Sequence, residues 1–119
     1  MAKRILIAED DNFLVKMYTL ELAGQGYEIE VAKNGKLALE AIEKQKPDLL
    51  LLDLLMPEVD GFAVLQGVKD KGYAFPVVVL SNLSQDIDRE KCKALGAKDY
   101  FVKSDMELDQ LKEIIKKFV

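Results

Sequence analysis

Along the chain, short wholly apolar runs alternate with longer stretches in which apolar residues recur at helical spacing. Ile5-Leu6-Ile7-Ala8 predicts a buried strand, stopped by the polar run Glu9-Asp10-Asp11-Asn12. The next stretch sets Phe13, Met17 and Leu20 on one helical face, continued by Ala23 and ended by Gly24 and Gly26. Tyr27-Glu28-Ile29-Glu30-Val31 alternates with period two, the pattern of a strand near a sheet edge. Asn34-Gly35 opens a second helix carrying Leu37, Leu39, Ala41 and Ile42, which stops before Pro47. Leu49-Leu50-Leu51-Leu52 has no alternation and ends at Asp53, as a strand covered by helices on both faces would.

The second half repeats the rhythm. Asp60-Gly61 caps a third helix with Phe62, Val64, Leu65 and Val68 inward. Pro76 introduces the β-branched run Val77-Val78-Val79-Leu80, stopped at Ser81. Ser84 is placed to cap a fourth helix through Ile87, Cys92 and Leu95, ended by Gly96. Tyr100-Phe101-Val102 predicts a fifth strand, stopped at Lys103. Ser104-Asp105-Met106-Glu107 has the form of a capping box, opening a last helix with Leu108, Leu111, Ile114, Ile115 and Phe118. Strands alternating with helices, with no internal repeat or linker, predict one α/β domain over residues 1–119. Right-handed crossovers then give a five-stranded parallel sheet, doubly wound, with helices on both faces.

Composition removes several functions. A chain of 119 residues buries one core without metal or disulfide staples. With 17 basic against 21 acidic residues, the net charge of −4 disfavours direct nucleic-acid binding. No apolar run nears the ~20 residues that span a bilayer, and the four after Lys3-Arg4 are too few for a signal peptide. The single Cys92 excludes an internal disulfide and suits a reducing cytosol, so a cytoplasmic protein is expected. With no histidine and one cysteine, neither a zinc site nor a Cys-His or Ser-His catalytic pair can be assembled.

In open parallel sheets, ligands bind beyond the carboxyl ends of the strands. Here those ends carry Glu9-Asp10-Asp11, Asp53, Ser81-Asn82 and Lys103. If the first and third strands are neighbours, Asp53 lies close to Glu9 and Asp10. Two such charges repel by about 4 kcal/mol at 4 Å in an effective dielectric of ~20. The cluster must take up a proton, spread into water or bind a cation, and carboxylate oxygens with room for water suit Mg²⁺. A phosphoryl group beside that ion would meet Lys103 as a fixed positive charge and Ser81 as a hydroxyl donor, with Asp53 as nucleophile. Taken singly, each residue has a plainer role. An acidic run before a helix caps it, Ser81 can cap a loop, and Lys103 can be solvated or pair with an acid. Cys92 and Met17, Met56 and Met106 are expected in packing.

These residues resemble the receiver domain of two-component response regulators, the fold of the bacterial chemotaxis regulator. Ile5 to Asp11 is similar to the family's first strand and acidic pair, and Asp48 to Gly61, D-L-L-L-L-D-L-L-M-P-E-V-D-G, to its phosphoacceptor strand and loop. Val77 to Ser81 resembles the fourth strand, and Ala94-Leu95-Gly96-Ala97 with Asp99 to Lys103 resembles the approach to the family's lysine. The resemblance implies the flavodoxin-like strand order 2-1-3-4-5 and a single receiver with no output domain in this chain. It implies that Asp53 accepts a phosphoryl group from a sensor histidine kinase or histidine phosphotransfer protein. Mg²⁺ or Mn²⁺ would be held by Glu9, Asp10, Asp53 and the backbone carbonyl of Leu55. Ser81 and Lys103 would contact the phosphoryl group, with Ser81 and Tyr100 as the switch pair. The protein would catalyse its own phosphorylation and dephosphorylation rather than act as an enzyme on others. It would signal through its fourth helix, fifth strand and fifth helix to a downstream protein, without membrane insertion.

Three departures from the family pattern involve four positions. Ser104 stands where a cis proline is usual, and a cis bond before a non-proline costs about 2.5–4 kcal/mol, so a trans Lys103–Ser104 peptide is expected, with Ser104 capping the last helix. Asn82 replaces a smaller residue beside Ser81. Leu55 and Leu83, two residues after Asp53 and Ser81, cannot orient a water, so a slowly hydrolysed acyl phosphate is expected. Three rivals remain at this point. A nucleotide or flavin binder needs a Gly-, Ser- or Thr-rich first loop, where Glu9-Asp10-Asp11 would repel phosphate. An aspartyl-phosphate hydrolase would want an acid at Leu55. A degenerate receiver would bind partners without phosphorylation.

Overall fold

The computed structural model of the protein describes residues 2–119; Met1, the first residue of the expected domain, lies outside them. In chain order the elements are β1 (Arg4–Ala8), α1 (Asn12–Leu22), β2 (Glu28–Ala32), α2 (Gly35–Lys44), β3 (Leu49–Leu52) and α3 (Gly61–Asp70). They continue as β4 (Val77–Ser81), α4 (Asp86–Ala94), β5 (Asp99–Val102), a 3-10 turn (Lys103–Asp105) and α5 (Gln110–Phe118). All strand pairs are parallel and the order is β2-β1-β3-β4-β5, as expected.

Alternation along the central strands divides the core in two. Ile5, Ile7, Leu49 and Leu51 face α1 and α5, packing with Tyr18, Leu22, Leu111, Ile114 and Ile115. Leu6, Ala8, Leu50 and Leu52 face the other layer, with Ile42 of α2, Val64, Leu65 and Val68 of α3 and Cys92 of α4. Each fully buried leucine contributes about 1.5–3 kcal/mol, so the four of β3 anchor both layers at once. This double burial is why β3 shows no alternation.

Helix faces and caps differ from the expectation in several places. In α1 the buried face is Leu14, Tyr18 and Leu22, whereas Phe13 and Leu20 are 69% and 62% exposed. The helix carries two apolar stripes one residue out of phase, and the sheet takes the one with the larger Tyr18. Leu37 of α2 likewise turns outward, leaving Ala38 and Ile42 in the core. Asn34 and Asp60 cap α2 and α3 through Leu37 N–H and Ala63 N–H, as read. Ser84 does not cap α4: the cap position is Gln85, with no side-chain bond, and Ile87 is 69% exposed. Nor does Ser104 open α5. The chain first makes the 3-10 turn, and the helix begins at Gln110, whose Oε1 accepts the Glu107 N–H at 2.6 Å. The Gln110 side chain thus ties down the loop ahead of the helix, and the cap position, Asp109, makes no side-chain bond of its own. No peptide bond among the described residues is cis, so Lys103–Ser104 is trans as expected.

Candidate functional site

The β1 and β3 ladders run one residue beyond the strands: Glu9 N–H donates to the Ala32 carbonyl and Asp53 N–H to the Ala8 carbonyl, each at 3.0 Å. This pins Glu9 and Asp53 side by side at the carboxyl edge of the sheet, only 2% and 6% exposed. With Asp10 they form a cluster whose carboxylate oxygens all lie within 4.8 Å of one another. Asp11 leaves the cluster to cap α1, accepting the N–H groups of Phe13 (2.9 Å) and Leu14 (3.2 Å). The acidic run thus divides: Asp11 caps the helix, and Glu9 and Asp10 join the cluster.

Charge crowding is relieved in three ways. Asp10 is exposed to water. Lys103 brings its ammonium between the two buried carboxylates, bonding Glu9 Oε1 and standing 3.3 Å from Asp53 Oδ2. Burial pushes the Glu9 carboxyl up to about 7; the bond from Lys103 pulls against that rise, and the Asp53 charge adds to it. Three hard oxygen donors, one of them open to water, are a set that fits a divalent cation of the Mg²⁺ type.

The loop after β3 frames the cluster. Leu55 N–H lies 3.4 Å from Asp53 Oδ1, so its main chain borders the carboxylate, while its side chain is exposed. Gly61 is pressed against this loop: a Cβ there would fall 2.3 Å from the Asp53 carbonyl oxygen and 2.6 Å from Leu54 Cα. Its N–H also donates to the Leu54 carbonyl at 2.9 Å, so the start of α3 clamps the backbone that carries Asp53.

Ser81 is fully buried at the end of β4, where its Oγ accepts the Leu83 N–H at 3.3 Å. The Leu83 carbonyl accepts the Tyr100 hydroxyl at 2.5 Å, with the tyrosine ring tucked inward. Burial raises the Tyr100 phenol above its ordinary range, with Cys92 and Asp88 adding to the rise and Ser81 and Arg89 opposing it. The expected residues therefore fall into two groups. Glu9, Asp10, Asp53 and Lys103 converge in one cluster, and Ser81, Leu83 and Tyr100 are joined by a chain of hydrogen bonds. Asn82 is exposed, and Cys92 and Met56 are buried as packing residues. Two contributions were not legible in the sequence. Gly61 reads as the residue after a cap, not as a contact of Asp53. Arg89 reads as one charge in a polar helix.

A family model described as the response regulator receiver domain matches residues 5–116. The chain is 33% identical over 103 residues to the alkaline phosphatase synthesis transcriptional regulatory protein of Bacillus subtilis, covering 87% of this chain and 43% of that one. It therefore spans less than half the length of the curated relatives it matches. Among solved structures, the signal receiver domain of a Luxo repressor protein from Vibrio parahaemolyticus superposes with TM-score 0.93 at 25% identity, covering 99% of this chain and 90% of that one. The receiver domain of a signal transduction histidine kinase from Syntrophus aciditrophicus gives TM-score 0.87 at 31% identity, covering 98% and 89%. Among the described residues no helix is long and apolar enough to cross a membrane.

Proposed function

We propose that this chain, which belongs to the response regulator receiver domain family of two-component systems, carries a phosphoryl group on Asp53. The donor is a phosphohistidine of a sensor kinase or phosphotransfer protein. An Asp53 carboxylate oxygen attacks phosphorus, a P–O bond forms as the P–N bond breaks, and the departing imidazole takes up a proton from solvent. The observation that carries this reading is the buried convergence of Glu9, Asp53 and the Lys103 ammonium, with Asp10 open to water beside them.

Glu9, Asp10, Asp53 and the Leu55 carbonyl would hold Mg²⁺ or Mn²⁺, which supplies charge neutralisation for the incoming phosphate oxygens. Lys103 is already poised 3.3 Å from Asp53 and would turn from the carboxylates to the phosphoryl oxygens. Ser81 Oγ accepts from Leu83, which leaves its own O–H free to donate to the phosphoryl group. The protein acts as a self-catalysing phosphoacceptor in the cytoplasm, and its output passes to a protein partner through the face of α4, β5 and α5. With leucine at positions 55 and 83, the acyl phosphate is shielded from water and lasts long enough for a sustained signal or a relay.

Treatment with acetyl phosphate and Mg²⁺ tests the reading. The expected result is a mass gain of one phosphoryl group, abolished by Asp53→Asn and by chelation. No gain in the wild type would overturn it and leave a receiver that binds partners without phosphorylation. A Leu55→Asn, Leu83→Glu double variant should shorten the phosphoryl lifetime; an equal or longer lifetime would refute the shielding role.

A further inference from the structure

The chain of bonds from Ser81 does not stop at Tyr100. β5 is an edge strand, paired only with β4, so carbonyls on its outer side have no ladder partner. Arg89 of α4 covers that edge: its Nη1 donates to the Tyr100 carbonyl at 3.2 Å, and its guanidinium carbon lies 4.9 Å from the centre of the Tyr100 ring. One planar group thus grips the same tyrosine at backbone and ring. Elsewhere α4 is tied to α3, by the Lys69 ammonium on the Ala94 carbonyl and by Lys91 over the Phe62 ring, whereas Arg89 supplies a polar link to β5. Cys92 is the buried residue of that helix, and Arg89 forms the wall shared by two open clefts on either side of Tyr100, of about 290 and 170 Å³.

We propose that Arg89 is a positioning residue for phosphoryl binding: by gripping Tyr100 it keeps the ring tucked, and through the Leu83 carbonyl and N–H it holds Ser81 ready for a phosphoryl oxygen. The inference rests on the reading of Asp53 and Ser81 given above. Its logic is pre-organisation. A loop already ordered by Tyr100 loses less freedom when a phosphoryl group binds than one that must be ordered at that moment. Without Arg89, the ring gains access to the outward position beside the two clefts, the Tyr100 hydroxyl leaves the Leu83 carbonyl, and the loop from Ser81 to Gln85 loosens. Lysine cannot replace the grip, because a point ammonium lacks the planar fork that stacks and donates together.

Two readouts test this in the full chain. The first is the ring NMR signal of Tyr100, assigned by its absence in Tyr100→Phe, in wild type, Arg89→Gln and Arg89→Lys. The second is the affinity of the same proteins for beryllofluoride with Mg²⁺, a phosphoryl mimic. Arg89→Gln should shift the ring signal toward a solvent-exposed value and weaken beryllofluoride binding about fivefold or more, the scale of one exposed cation–π contact plus one hydrogen bond. Arg89→Lys should fail to restore the ring signal despite keeping the charge. In a Tyr100→Phe background the Arg89→Gln effect on affinity should shrink, because the hydroxyl link is already cut. A ring signal unmoved by Arg89→Gln overturns the inference, whatever beryllofluoride does. A wild type that binds no beryllofluoride overturns the Asp53 reading instead, and the ring signal alone then decides the grip.

Discussion

The two halves of the sheet's carboxyl edge are built differently. On the β1–β3 side, Glu9 and Asp53 are held by main-chain ladder bonds, and α3 presses Gly61 onto the Asp53 backbone while burying Val64, Leu65 and Val68 behind it. On the β4–β5 side, Ser81, Leu83, Tyr100 and Arg89 are linked by single hydrogen bonds, and α4 buries Cys92 alone. Elements with few buried contacts open at lower free energy than the core. The comparison teaches that the charged cluster is fixed by backbone and packing, whereas the hydroxyl beside it is held by contacts that can exchange.

The largest expected effect tests the fixed side. Lys103→Met removes the ammonium between two buried carboxylates, and breaking such an arrangement costs about 3–5 kcal/mol. The urea midpoint should fall accordingly in the absence of divalent cations and recover in part with Mg²⁺; an unchanged midpoint would mean that the cluster does not depend on this lysine. Next comes Gly61→Ala, whose methyl group must displace the Asp53–Leu54 backbone, a strain of about 1–3 kcal/mol. It should also slow phosphorylation by acetyl phosphate, and wild-type rates would remove the clamp from the comparison.

Glu9 supplies a pH dependence. Its carboxyl is raised from 4.5 to about 7 in the folded chain, so the fold binds that proton more tightly than the unfolded chain does. The resulting stability is fully present below pH 4.5 and is lost as pH rises through 7. In EDTA the melting temperature should be higher at pH 6 than at pH 8, Glu9→Gln should flatten the difference, and Mg²⁺ should reverse it by binding the ionised form. The smallest effect lies on the movable side. Tyr100→Phe removes one hydrogen bond to the Leu83 carbonyl, about 1 kcal/mol by denaturant titration. A loss exceeding that of Gly61→Ala would invert the contrast between the halves.

Most of the fold was legible because its signals are local. The apolar run of β3, the caps Asn34 and Asp60 and the polar stops after each strand mark elements with little help from elsewhere. The cluster was legible for a related reason: with β1 beside β3, residues just past both strands must meet. Helix α1 was misread because Phe13, Met17, Leu20 and Leu14, Tyr18, Leu22 form two competing stripes. The Ser104 capping signature failed because the 3-10 turn uses those residues to bring Lys103 to the cluster.

The amino-acid order by itself determined which segments are strands and helices, and that acidic, hydroxyl and amino groups stand at the strand ends, since periodicity and turn chemistry act over a few residues. Only the tertiary structure decided which stripe of α1 turns inward, where α5 begins, that Gly61 lies against Asp53, and that Arg89 grips Tyr100. Those choices depend on what an element packs against, and the partner surface comes from residues distant in the chain.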